Sequence, residues 1–238
     1  MTDIKKNCDL YEIIRIVNRR KQNKKNDLAE IKKHLNDQMK IRVIKPGGSI
    51  SCQDIAGKYV YYVIEGQYYH YRNSNTGKRN VVALYKGPQW IGIDRALDME
   101  KSNVTEDYVL RKTVVIDIKS EYFVQCIRED GELALHIIKN LLAKMSSASS
   151  RVDYMLFNDA RTQTIFWFSE YWKINDTGGE ECTIALKNEN IAEAIGISTR
   201  TLYRVIRELK EENLVTTKKG NIVINSLQMQ QMIDSVSK

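Results

Sequence analysis

The sequence predicts an α+β chain made of an N-terminal antiparallel β-barrel, a long dimerisation helix and a C-terminal winged helix-turn-helix. Three observations predict it. Residues 39–118 are short apolar or alternating runs broken by Gly, Asn and Pro; an apolar repeat of three and four steps crosses residues 129–158; and residues 188–207 read NENIAEAIGISTRTLYRVIR. The expected boundaries are 1–128 for two N-terminal helices and the barrel, 129–158 for the long helix, and 159–238 for the C-terminal domain.

Residues 9–20 and 26–36 carry apolar positions at helical spacing (Leu10, Ile13, Ile14, Val17; Leu28, Ile31, Leu35), behind Asp9 and Asn26 as caps. The basic run from Arg19 to Lys25 between them reads as a solvated turn. Strands are expected at Ile41–Ile44, Tyr59–Glu65, Gln67–Arg72, Asn80–Tyr85, Gln89–Ile91 and Tyr108–Ile118, with breaks at 45–48, Gly66, 73–77 and 87–88. Aromatic and β-branched runs at such short spacing, punctuated by turn residues, suit an antiparallel barrel or sandwich.

From Glu129 to Asn158 one helix is expected, with Leu135, Ile138, Leu142, Met145, Ser149, Val152 and Leu156 stepping by three and four. This is the stripe of a coiled coil, narrower than a helix needs for packing on its own domain, and it predicts a homodimer. Serines at 146, 147, 149 and 150 interrupt its apolar character and leave room for a ligand or for sliding. A further helix follows over 159–173, capped by Asp159, with Ile165, Phe166, Phe168 and Trp172 on its apolar face. A turn containing Gly178 and Gly179 and a short strand at Thr183–Leu186 complete the approach to the most informative segment.

In that segment each residue type has a steric reason. Ala192 is small where two helices nearly touch, Gly196 permits the positive φ of the turn, and Leu202 locks the second helix onto the first. Ser198 caps the second helix, whose Leu202, Val205, Ile206 and Leu209 face inward while Thr199, Arg200, Thr201, Tyr203, Arg204, Arg207 and Lys210 project outward. Arginine near the start of such a helix can donate paired hydrogen bonds to guanine O6 and N7, so Arg200 and Arg204 are the expected base readers in duplex DNA. Ser198, Thr201, Tyr203 and Arg207 are expected on phosphates. Two strands, Leu214–Thr217 and Asn221–Ile224, flank Lys218, Lys219 and Gly220 and predict a wing that lays lysines on the backbone, before a last helix at Ser226–Val236.

Net charge is not the evidence for this. The +7 is spread as +5 over residues 1–40, +2 over 41–159 and zero over 160–238, where ten cations meet ten carboxylates. Other classes find little support. No run of about 18 apolar residues suggests a membrane span, and the polar, Lys-rich N-terminus has no signal-peptide texture, so a cytoplasmic protein is expected. Cys8, Cys52, Cys126 and Cys182 lie more than 40 residues apart and His34, His70 and His136 are equally scattered, so free buried thiols and no metal site are expected. No nucleophile–base pair or phosphate loop points to an enzyme. The rival reading is a ligand-sensing module that acts through protein partners.

The order of parts resembles the cyclic-AMP receptor protein and FNR (Crp-Fnr) superfamily of bacterial transcription regulators. The residues that carry it are Lys45-Pro46-Gly47-Gly48, Tyr62 to Gly66, Gly87 with Trp90-Ile91-Gly92, the hinge Phe157-Asn158-Asp159, and Gly196 to Val215. The resemblance implies a cyclic-nucleotide-binding-like jelly roll, an effector-controlled homodimer, a palindromic operator and RNA polymerase as a further partner. It also implies Tyr62 and Ser149 as effector contacts. Departures exclude the usual effectors. Where cyclic-nucleotide-binding members have Gly-Glu, this chain has Gly92-Ile93, and the region of Asn103-Val104 lacks the phosphate-binding Arg. An anionic phosphate would be poorly paired there, so cyclic AMP is not expected. Only Cys8 lies where oxygen-sensing members cluster cysteines on an iron–sulfur centre, and no axial haem pair stands out, so no cofactor is identified and the effector is unknown.

Overall fold

The structure is a computed structural model that describes residues 9–19, 27–51, 57–73, 79–97, 105–175 and 180–236. The chain divides into two compact units, one of residues 1–79 and 85–144, the other of residues 80–84 and 145–238. Asn26, the basic run 20–25, the turn glycines 178–179 and residues 103–104 lie outside the described residues.

In the first unit, α1 (Asp9–Arg19) and α2 (Asp27–Lys33) precede strands β1 (Met39–Ile44), β2 (Tyr59–Asn73), β3 (Arg79–Lys86), β4 (Gln89–Ile91) and β5 (Thr105–Lys119), with one helical turn, α3 (Ile93–Ala96), before β5. The sheet runs β1-β5-β2-β3 with β4 also on β2, and the β1–β5, β2–β4 and β2–β5 pairings are antiparallel. Its long strands are buried on both faces. Val60, Tyr62 and Ile64 of β2 and Val114, Ile116 and Ile118 of β5 pack toward the helices, while Tyr61, Val63, Tyr68, Val109 and Val115 fill the opposite face. That two-sided burial explains why these stretches read as near-continuous apolar runs. The break expected at Gly66 is absent, because β2 passes through it with β-bulges. Gly66 has φ +122°, and a Cβ there would lie 2.6 Å from the Thr113 Cα, so the glycine serves close strand approach rather than a turn.

The helix expected from Glu129 is instead two. Helix α4 (Ser120–Glu129) contributes Phe123 and Cys126 to the core and ends at Asp130, whose carboxylate accepts from the backbone N–H of Glu132 and Leu133 at 3.0 Å each and so caps α5 (Gly131–Phe157). Cys126 is disulfide-bonded, which corrects the expectation of free thiols there; Cys182 is free, and the partner of Cys126 lies outside the described residues.

Helix α5 has two working faces. Leu133, Ile137, Asn140 and Lys144 follow each other at one-turn spacing, and Leu133 and Ile137 are buried in the first unit's core. Lys144 donates from Nζ to the Trp90 carbonyl at 2.8 Å and sits over the Tyr85 ring. Burial lowers its ammonium to about 8, against the opposing pull of Asp107. The expected dimer stripe lies elsewhere on the helix and is exposed: Leu135 43%, Ile138 52%, Leu142 58%, Met145 67%, Val152 52% and Leu156 70%.

The second unit contains α6 (Ala160–Asn175), β6 (Glu181–Ile184), α7 (Asn188–Ile195), α8 (Thr199–Glu211), β7 (Thr216–Lys218), β8 (Asn221–Asn225) and α9 (Ser226–Val236). Asp159 caps α6 as expected, accepting from the Thr162 N–H at 2.8 Å, and these bonds hold its carboxyl below the usual range. Strand β6 begins two residues earlier than expected and pairs β8, giving the order β6-β8-β7. At the start of α9, Asn225 and Gln228 exchange backbone-to-side-chain hydrogen bonds of 2.9 and 2.8 Å, a reciprocal cap. The core joins Ile165 and Phe168 of α6 to Ile191, Leu202, Leu209, Ile222 and Met232.

Candidate nucleic-acid interface

The interface begins with how α7 stops. Gly196 adopts φ 86°, its N–H donating to the Ala192 carbonyl at 2.9 Å, and the Ile197 N–H reaches the same oxygen at 3.0 Å. A residue with a Cβ would be strained in that conformation, and the turn it makes lets α8 start three residues later. Ser198 then caps α8, accepting from the Thr201 N–H at 3.0 Å, and its hydroxyl also shares a 2.8 Å hydrogen bond with that of Thr201.

The inward stripe of α8 is closed: Leu202, Val205, Ile206 and Leu209 are buried against Ile191, Ala192 and Ile195. The opposite face is open. Arg200, Tyr203, Arg204 and Arg207 are exposed, and Thr199 and Thr201 are half-buried. Arg204 and Arg207 face Glu208 and Glu211 one turn on, at 3.7 and 3.8 Å. Arg161, at the start of α6, donates to both Glu212 carboxylate oxygens at 2.6 Å and fastens the far end of α8; that pairing holds the Glu212 carboxyl below its usual range. Sequence patterns did not disclose this clamp, because its partners are 51 residues apart.

Strands β7 and β8 form the expected wing. Lys219 (φ 51°) and Gly220 (φ 80°) make its two-residue turn, with the left-handed pair that suits a tight antiparallel hairpin. Lys219 is exposed at the tip, whereas Lys218 is held by Glu181 of β6, at 2.9 and 2.7 Å from the two carboxylate oxygens. Lys210 donates to the Thr217 hydroxyl at 3.2 Å.

The two expected effector contacts fall in different units. Tyr62 is 1% exposed, its ring 4.4 Å from that of Trp90 and its Oη without a hydrogen-bond partner among the described residues; burial pushes its phenol up. Ser149 is exposed on α5. The first unit also holds a polar cluster that sequence inspection missed: buried Asp107 accepts from the Ser51 hydroxyl at 2.8 Å and meets His70 Nδ1 at 2.8 Å. The serine faces the carboxylate rather than the imidazole, so this is not a nucleophile–base pair. Among the described residues no group of three His, Cys, Asp or Glu is placed to hold a metal, and no helix is long and apolar enough to cross a membrane.

Residues 164–229 match the model of the Crp-like helix-turn-helix domain. The cAMP-activated global transcriptional regulator CRP of Haemophilus influenzae is 22% identical over 170 residues, covering 69% of this chain and 75% of that protein. FixK2 from Bradyrhizobium japonicum shares the fold with a TM-score of 0.66 at 14% identity, over 82% of this chain and 96% of that one. A CRP/FNR-family transcriptional regulator from Thermus thermophilus gives 0.66 at 16% identity, over 82% and 98%. Chlorine-free of any sequence closeness, CprK in complex with OCPA gives 0.60 at 20% identity, over 83% and 89%.

Proposed function

We propose, from the premise that this chain carries a Crp-like helix-turn-helix domain on the fold of the CRP/FNR regulators, that it is a sequence-specific DNA-binding transcription regulator acting as an effector-controlled homodimer. The observation that carries this reading is α8. Its apolar stripe is spent on the domain core, and its opposite face presents three arginines and a tyrosine to solvent from a helix that begins at a clean serine cap. Arg200 and Arg204 are assigned to bases, Ser198, Thr199, Thr201, Tyr203 and Arg207 to the surrounding contacts, and Lys218 and Lys219 to the backbone.

The exposed stripe of α5 supports pairing with a second copy of the chain through Leu135, Ile138, Leu142, Met145, Val152 and Leu156. Two recognition helices then enter successive major grooves about 34 Å apart, and the operator is palindromic because the dimer is. In this scheme residues 1–128 sense, 129–158 pair and transmit, and 159–238 read DNA. RNA polymerase is the further partner such a regulator would meet.

The effector is not cyclic AMP. Ile93 stands where cyclic-nucleotide binders have a glutamate, and it is buried in the apolar core, where it offers a ribose nothing to bond. The unpartnered, buried Tyr62 Oη supports a ligand contact at Tyr62, and the exposure of Ser149 supports one at the dimer face.

Titration of the full chain against labelled duplexes at rising salt tests the function. Binding whose log K falls linearly with log salt is expected, with a steeper slope than one phosphate contact would give. No duplex binding at low salt, with retention of protein partners instead, would establish the rival reading of a module that acts without DNA.

A further inference from the structure

A domain that must meet a polyanion has, over residues 160–238, ten cations and ten carboxylates. The carboxylates are not scattered. Glu208 and Glu211 stand beside Arg204 and Arg207, and Glu181 grips Lys218 of the wing at 2.7 Å. Among the duplex-facing cations described, Arg200 and Lys219 have no such carboxylate beside them.

Stability does not explain the Glu181–Lys218 pair. Both side chains are at least half exposed, and an ion pair so well solvated adds little to folding. It does have a consequence for a phosphate. The Lys218 ammonium can neutralise a backbone charge only by leaving Glu181 or by bringing that carboxylate close to the duplex. Either route subtracts from the counterion release that drives sequence-independent binding.

We propose that Glu181 is a brake on backbone binding, a positioning residue that holds the wing lysine Lys218 in reserve and thereby sets the affinity and salt response of the protein without changing its base preference. This rests on the DNA-binding reading. It explains how a recognition domain works at zero net charge: the cations that read or grip are present, and their sequence-independent attraction is held down by neighbours on β6 and α8.

The test is a two-by-two cycle of Glu181→Gln and Lys218→Ala in the full chain, with affinities for operator and scrambled duplex measured across salt. Glutamine keeps the shape and removes the charge. Glu181→Gln is expected to tighten binding to both duplexes alike by about two- to fivefold at low ionic strength, the range of one exposed ion pair. It is also expected to steepen the log–log salt slope by about one unit, as one more phosphate is neutralised. In the Lys218→Ala background most of the gain disappears. Unchanged affinity and slope in Glu181→Gln would overturn the proposal. So would an equal gain with Lys218 absent, which would mean simple repulsion between Glu181 and phosphate. The wild-type arm separates the two failures: if wild type binds no duplex with a salt-dependent affinity, the DNA reading itself falls, and the brake with it.

Discussion

Arg204→Ala weakens binding to the operator by about 1–3 kcal/mol while binding to a scrambled duplex changes far less, the signature of a lost base contact rather than a lost charge. At the lower end that is about fivefold and at the upper end more than a hundredfold. The argument is geometric. Arg204 lies one turn beyond Arg200 on a helix whose other face is locked by Leu202, Val205 and Leu209, so its direction is set by the domain core rather than by a loop. Its pairing with Glu208 at 3.7 Å is too long and too exposed to hold it back from a guanine. Thermal unfolding should be unaffected, since the side chain is exposed. Equal losses on operator and scrambled duplex would move Arg204 from base reading to phosphate contact, and the paired variant Arg200→Ala would show whether the reading role belongs there.

The second large effect is on assembly. Leu142→Glu with Met145→Glu is expected to leave the secondary structure intact and convert the dimer to a monomer. Glutamate is a good helix former, and these side chains are 58% and 67% exposed, so the chain's own core loses little. Two carboxylates in the paired stripe of each copy would oppose their counterparts in an apolar contact, at a cost that an apolar surface of this size cannot offset. Operator affinity should fall by about a hundredfold or more, because the second half-site then contributes no effective concentration. Sedimentation reads the mass and anisotropy reads the affinity. A variant that remains a dimer would place the self-association surface elsewhere; a monomer with undiminished operator affinity would break the link between pairing and recognition.

The parts of this fold that were legible in the sequence are those whose determinants are local. The α7–α8 unit is readable because Ala192, Gly196, Ser198 and Leu202 each act within a few residues of where they stand, and the wing turn is readable from Lys218-Lys219-Gly220. Features set by distant partners were not. The division of α4 from α5 depends on how Asp130 caps a helix inside a strongly helical stretch, so no apolar step marks it. Gly66 looked like a turn because its need for contact with Thr113, 47 residues away, leaves no local trace. Lys144 reads as a solvated helix position, yet it is drawn inward to the Trp90 carbonyl. Glu181 gave no sign of its hold on Lys218, since only the β6-β8-β7 sheet brings them together. The candidate DNA face was therefore visible as a set of cations, and the carboxylates that temper it were visible only in three dimensions.

The central claim is that two copies of α8 read a two-fold symmetric operator. Selection of duplexes bound by the full chain from a random library measures this directly. The account predicts an enriched inverted repeat whose half-site centres lie about one helical turn, 10–10.5 base pairs, apart, with guanines at positions that lose enrichment in the Arg204→Ala protein. Recovery of a single asymmetric half-site, or of no enriched sequence at all, would contradict it.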